Sequence, residues 1–227
     1  MLRFYYIIYQ RLLVLINRKK NASSCILMFH KISESNDAYS INVARFNTLI
    51  KWLTEKSTIR AIDDSHLQNN KNYILTFDDV DISVYDEAYP ILAKLNVPYY
   101  IFVTIELINK EGYLSEDNIK EMLSNSQCII GSHAMNHILM RKLSMDECEY
   151  QMIKSKEYIE KKFSVNCDSF AFPFGSIYAC SNKNYQVAKK HYKYIFNTLD
   201  IPFDGDFTHI PRININNNCK FVRRILK

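Results

Sequence analysis

Short apolar runs alternate with amphipathic stretches from Cys25 nearly to the C-terminus, and this alternation restricts the fold more than any other feature of the chain. CILMF (25–29), NYILTF (72–77), PYYIFVT (98–104), QCIIG (127–131), SFAF (169–172) and KYIFNT (193–198) are four to seven residues long and rich in β-branched or aromatic residues. Runs of this kind read as strands buried on both faces. Between them, RFNTLIKWLTEK (45–56) places Phe46, Leu49, Ile50 and Leu53 on one helical face. VYDEAYPILAKL, SEDNIKEML, the stretch from Met145 to Phe163 and NKNYQVAKKHY read as further helices. Pro90 predicts a kink or a fresh helical start. Ser115, followed by Glu116 and Asp117, carries the acidic bias of a helix N-terminus. THIPRINI (208–215) reads as a last strand, with Pro211 favouring a sheet edge. Repeated strand–helix units imply parallel strands with helices outside them, in an open doubly wound sheet or a (β/α) barrel.

Residue types suited to chemistry stand where these strands end. His30 follows CILMF, Asp78-Asp79 follows NYILTF, and His133 follows QCIIG. Functional side chains gather at the C-terminal ends of strands in both fold types. Two adjacent carboxylates at the end of a buried strand are costly unless something neutralises or uses them. His133 and His137 are four residues apart, so on a helical turn both would face one side and reach one ion. One added carboxylate would complete a two-histidine, one-carboxylate set with open positions for water and substrate.

The 227 residues suit a single α/β domain, and 48% hydrophobic with 23% charged residues is ordinary for a folded chain. The net charge of +5 is modest and spread out, which gives no case for nucleic acid. The six cysteines form no C-x-x-C pair, and a chain this long builds its core without disulfides. Free, mostly buried thiols are therefore expected. Residues 1–20, MLRFYYIIYQRLLVLINRKK, lack the uninterrupted apolar run of roughly 18–20 residues needed to span a bilayer. They fit an interfacial amphipathic helix with peripheral membrane contact, or a helix packed on its own domain. A cytoplasmic or inner-membrane-surface location is expected, with an exported form as the alternative.

The motifs together resemble the polysaccharide deacetylases of the NodB-homology type, carbohydrate esterase family four. T-F-D-D-G is matched by Thr76-Phe77-Asp78-Asp79-Val80, and H-S/T-x-x-H by His133-Ala134-Met135-Asn136-His137. R-x-P-Y-G survives in part as Ala171-Phe172-Pro173-Phe174-Gly175, and LMFH (27–30) is similar to the L-x-Y-H of related first strands. The resemblance runs from about residue 25 to about residue 215. It implies a distorted (β/α) barrel with about seven parallel strands, formed by residues 21–227 after the segment 1–20. It also implies a hydrolase of carbon–nitrogen bonds that removes N-acetyl groups, or O-acetyl groups, from a cell-envelope glycan or its precursor.

Carried over by position, the resemblance makes Asp79, His133 and His137 ligands of a divalent metal. Zinc comes first, with Co2+, Ni2+ or Fe2+ as other ions such a set accepts. Asp78 would be the general base and the Phe174 backbone N–H the oxyanion donor. The general acid falls to His30 or His209, and His30 is favoured because it ends a strand. Three departures stand out. Val80 replaces a glycine and threatens a backbone conformation that glycine adopts easily. Ala134 removes a hydroxyl. Ala171 replaces the arginine that holds the base, a role Arg212 could take from another strand. The missing arginine keeps a second reading open, a glycan-binding protein with an intact metal site and no turnover.

Overall fold

A computed structural model of the chain describes residues 24–225, apart from 63–71, 125–126, 177, 202 and 204. Residues 1–20 and His66 lie outside the described residues. Among the described residues no helix is long and apolar enough to cross a membrane.

The strands are β1 (Cys25–Phe29), β2 (Lys31–Ile32), β3 (Ser40–Ile41), β4 (Thr58–Ile59), β5 (Asn72–Asp78), β6 (Tyr99–Val103), β7 (Cys128–Ser132), β8 (Ser169–Ala171), β9 (Tyr194–Phe196) and β10 (Ile213–Asn214). The helices are α1 (Val43–Lys56), α2 (Tyr89–Leu95), α3 (Glu116–Ser124), α4 (Met145–Phe163), α5 (Asn182–His191) and α6 (Lys220–Ile225). A π turn, Val84–Ala88, leads into α2, so the fresh start expected at Pro90 lies at Tyr89, with the proline in the first turn. Capping fixes the long α4: the Ser144 hydroxyl accepts from Glu147 N, and the Glu147 carboxylate accepts from Ser144 N.

Seven parallel strands, in the order β10-β1-β5-β6-β7-β8-β9, curl into a half-barrel, and β4 pairs with the start of β5. The segment 207–214 ties the two edges together. Its first half bonds to β9, through Ile195 N to Phe207 O and Ile210 N to Ile195 O, while Ile213 and Asn214 pair with Leu27 and Met28. The expected last strand is thus a strand only at Ile213–Asn214, and residues 207–210 before it make the contacts with β9.

Side-chain alternation sorts the core into two layers. Cys25, Leu27 and Phe29 of β1, with Tyr73, Leu75 and Phe77 of β5, pack outward against the helices. Ile26, Ile74, Tyr100, Phe102 and Phe196 face the barrel interior. His30, Asp78 and His133 continue the inward parity of β1, β5 and β7. A strand whose every residue is buried therefore delivers a charged side chain into the barrel mouth at its last position.

Candidate metal and catalytic site

Asp79 and Val80 leave β5 in the left-handed region, at φ 60° and 54°. This turns Asp79 away from Asp78, so the adjacent carboxylates face different partners. Val80 does not close off the glycine conformation, as its side chain suggested. It adopts that conformation with the side chain fully buried and with its carbonyl accepting from Leu114 N, and core packing holds the strained backbone.

His133 and His137 do not lie on a helical turn. Ala134, at φ 69°, breaks the chain direction, and residues 133–139 form a bent loop. The Gln151 amide oxygen on α4 holds this loop by accepting from both Met135 N and Asn136 N. Ser132 Oγ accepts from Ala134 N and lies 2.6 Å from Ser155 Oγ, so a serine two residues earlier supplies a hydroxyl beside Ala134.

The Asp79, His133 and His137 ligand atoms all lie within 4.8 Å of one another. Asp79 Oδ1 stands 3.3 Å from His137 Nε2 and 3.6 Å from His133 Nε2, yet this buried oxygen has no hydrogen-bond partner. Around a tetrahedral ion with bonds of about 2.0–2.1 Å, ligand atoms are separated by roughly 3.3 Å. The His133 Nδ1 is 2.7 Å from the Ala171 carbonyl, which can only accept, so Nδ1 carries the proton and Nε2 presents its lone pair. Burial pushes the His133 imidazole below its usual range and favours this neutral form. An orphaned buried oxygen beside an imidazole lone pair fits a divalent cation.

Asp78 has a different partner. Arg212, fully buried, donates from Nη1 to Asp78 Oδ1 and from Nη2 to Asp78 Oδ2, both at 2.6 Å. Its Nε donates to the Asn197 carbonyl, and its guanidinium lies over the Phe102 and Phe196 rings at 5.3 and 5.8 Å. Burial alone would raise the Asp78 carboxyl. The Arg212 charge and its paired hydrogen bonds outweigh burial and hold Asp78 below the usual carboxylate range. Arg212 therefore stands, from the barrel seam, where Ala171 offers no charge.

Phe174, at φ 62°, exposes its ring above His137 at a centroid distance of 4.2 Å. Its backbone N–H has no acceptor among the described residues. Gly175 follows at φ 55°, and a Cβ there would meet Thr198 Oγ1 at 2.2 Å, so this turn requires glycine. His30 lines the same cavity of about 340 Å³ as Asp78, Asp79, His133, His137 and Phe174, and its Nδ1 is buried without a partner. His209 is elsewhere, stacked on Tyr185 and bonded to Asp206. Sequence reasoning missed Tyr39, Tyr113 and the Lys31–Asp81 ion pair, all on the cavity wall.

The sequence profile of the polysaccharide deacetylases matches residues 67–195, more than half of the chain. The chain belongs to the polysaccharide deacetylase family. YxkH of Bacillus subtilis (strain 168) is 27% identical over 168 residues, which cover 70% of this chain and 60% of YxkH, so the chain spans less than two thirds of that relative. The poly-β-1,6-N-acetyl-D-glucosamine N-deacetylase of Staphylococcus aureus (strain MSSA476) is 25% identical over 225 residues, covering 89% of this chain and 77% of the relative. Among solved structures, the Streptococcus pyogenes deacetylase PplD in complex with acetate superposes with a TM-score of 0.75 at 23% identity, over 87% of this chain and 94% of PplD. This likeness places the deacetylase fold, with its half-barrel of seven parallel strands, on the same architecture.

Proposed function

We propose that this family member is a hydrolase that releases acetate from N-acetylated sugars of an oligo- or polysaccharide. One observation carries the reading: an Asp79–His133–His137 group shaped for an ion stands beside an aspartate held by a buried arginine. A divalent cation bound there, zinc in the first place, would supply Lewis acidity, acidifying water and polarising the acetyl carbonyl. The chain's own groups do the rest. Asp78, ionised and oriented by Arg212, takes a proton from the attacking water. The Phe174 N–H meets the oxygen on which negative charge develops. His30, whose imidazole burial keeps neutral at rest, takes up the proton that Asp78 removed from the water and delivers it to the departing amine, which restores both groups to their starting states.

The Staphylococcus aureus relative acts on poly-β-1,6-N-acetyl-D-glucosamine, which supports a hexosamine polymer as substrate. The reading as a glycan binder without turnover rested on Ala171, and the Arg212 contact with Asp78 weighs against it. The test is acetate release from β-1,6-linked N-acetylglucosamine oligomers by the zinc-loaded protein, beside Asp78→Asn. Release that needs both the metal and Asp78 supports the enzyme. Metal and sugar binding with no release would replace it with the binder.

A further inference from the structure

The sugar to be deacetylated does not account for every built feature of the cavity rim. Two exposed aromatic rings border the same cavity: Tyr39, 53% exposed and edge-on to His30 at 5.1 Å, and Phe174, 51% exposed and against His137. At about 340 Å³ the cavity lies at the small end of ligand pockets, which span roughly 300–1,000 Å³. It has room for one sugar unit rather than a stretch of polymer, so neighbouring units must rest on its rim.

Tyr39 is held in place there. The loop between β2 and β3 is fastened from behind by asparagines of the ININNN run at 213–218. Asn216 Nδ2 donates to the Ala38 carbonyl at 2.9 Å, Asn214 Nδ2 donates to the same oxygen at 3.3 Å, and Asn217 Nδ2 donates to Ser35 O at 3.1 Å. From within the loop, Asp37 accepts from Tyr39 N at 2.8 Å, and the Tyr39 carbonyl accepts from Lys31 N. Five hydrogen bonds therefore fix a loop whose one large apolar side chain is left in solvent. A loop whose backbone is already ordered presents its ring at a lower entropic cost than a mobile one would.

Taking the proposed glycan substrate as given, we propose that Tyr39 is a stacking platform for a second pyranose ring, the neighbour of the sugar being deacetylated. The asparagine strap sets the position of that platform. The apolar C–H face of a β-linked hexosamine packs on the negative face of an aromatic ring and buries apolar area on both sides. The site would thereby select polymer over monomer without any charged contact.

The test compares kcat and KM of the wild type, Tyr39→Leu, Tyr39→Trp and Asn216→Ala on β-1,6-linked N-acetylglucosamine, monomer through pentamer. Wild-type KM should fall on passing from the monomer to longer chains. Tyr39→Leu, which keeps an apolar side chain beside His30 but offers no ring, should raise KM for the longer chains by about five- to tenfold, with little change in kcat. Tyr39→Trp should restore the length dependence, and Asn216→Ala should weaken it. Tyr39→Leu with wild-type kinetics at every length overturns the proposal, as does an equal kcat loss on monomer and oligomer, which would make Tyr39 a support for His30. Calorimetric titration of the same oligomers separates the two claims. If the wild type binds the pentamer but releases no acetate, the deacetylase reading fails, and the platform stands only if Tyr39→Leu binds more weakly. No pentamer binding by the wild type overturns both.

Discussion

Gly131 faces the ring of Phe102 across the β6–β7 pair so closely that a Cβ at 131 would lie 2.4 Å from a ring carbon. Phe102 in turn lies beneath Arg212, and Arg212 holds Asp78. Gly131→Ala should therefore reach Asp78 through Phe102 and Arg212. Moving the ring costs about 1–3 kcal/mol as overpacking and shifts the guanidinium it supports. Urea unfolding should show the loss, and Phe102→Leu should recover part of it by making room. Gly131→Ala with wild-type stability and turnover would mean that Phe102 moves freely and that the chain of contacts carries nothing.

Val80 makes a different prediction, because its backbone and side chain pull in opposite directions. Its left-handed φ of 54° costs a β-branched residue about 1–2 kcal/mol, while full burial of the side chain offsets that strain. Val80→Ala loses buried methyl groups and keeps a Cβ in the strained region. Val80→Gly loses slightly more surface but removes the strain. At an ordinary buried site glycine is the worse replacement, by about 1 kcal/mol. Here Val80→Gly should be at least as stable as Val80→Ala in chemical denaturation. A clear advantage for alanine would show that the turn is not strained.

How much of this was legible in the sequence depended on whether local pattern or distant contact decided the outcome. The apolar runs announced the parallel strands, because strands buried on both faces leave little choice of composition. β2, β3 and β4 left no signal, since two residues carry no periodicity. His133 and His137 were legible as a pair, but the helical path between them was wrong, because Gln151 from a distant helix shapes that loop. Arg212 became visible only through the charge missing at Ala171. Tyr39 was not visible at all, since asparagines nearly two hundred positions later give its loop a shape.

All six cysteines are free and five are buried, as the composition suggested. Burial pushes the Cys128 and Cys167 thiols up to about 12 and the Cys180 thiol up to about 11. The thiolate is the reactive form, so at a pH of about 8 these groups are almost wholly protonated as well as inaccessible. Cys219, partly exposed near the start of α6, should be the one thiol that iodoacetamide modifies quickly in the native protein. Mass spectrometry of labelled peptides checks this. A second cysteine labelled at a comparable rate would mean that one of the buried positions opens in the native state.

The Asp78–Arg212 pair supports the sharpest thermodynamic test, because both groups are buried and each neutralises the other. Removing one partner leaves an uncompensated charge in the barrel. Arg212→Met or Asp78→Leu alone should cost about 3–5 kcal/mol. The double variant should be far more stable than the sum of the two losses, since no buried charge remains. Chemical denaturation of the four proteins closes this cycle and measures the coupling directly. Arg212→Lys adds a functional readout. It preserves the charge but not the two-pronged contact with both carboxylate oxygens, so Asp78, the proposed base, would stay ionised but be poorly aimed. A loss of about 10–100-fold in kcat is expected, with metal content unchanged because Arg212 touches none of the ion-binding residues. Additive stability losses, together with full activity in Arg212→Lys, would show that the pair neither stabilises the barrel nor orients Asp78.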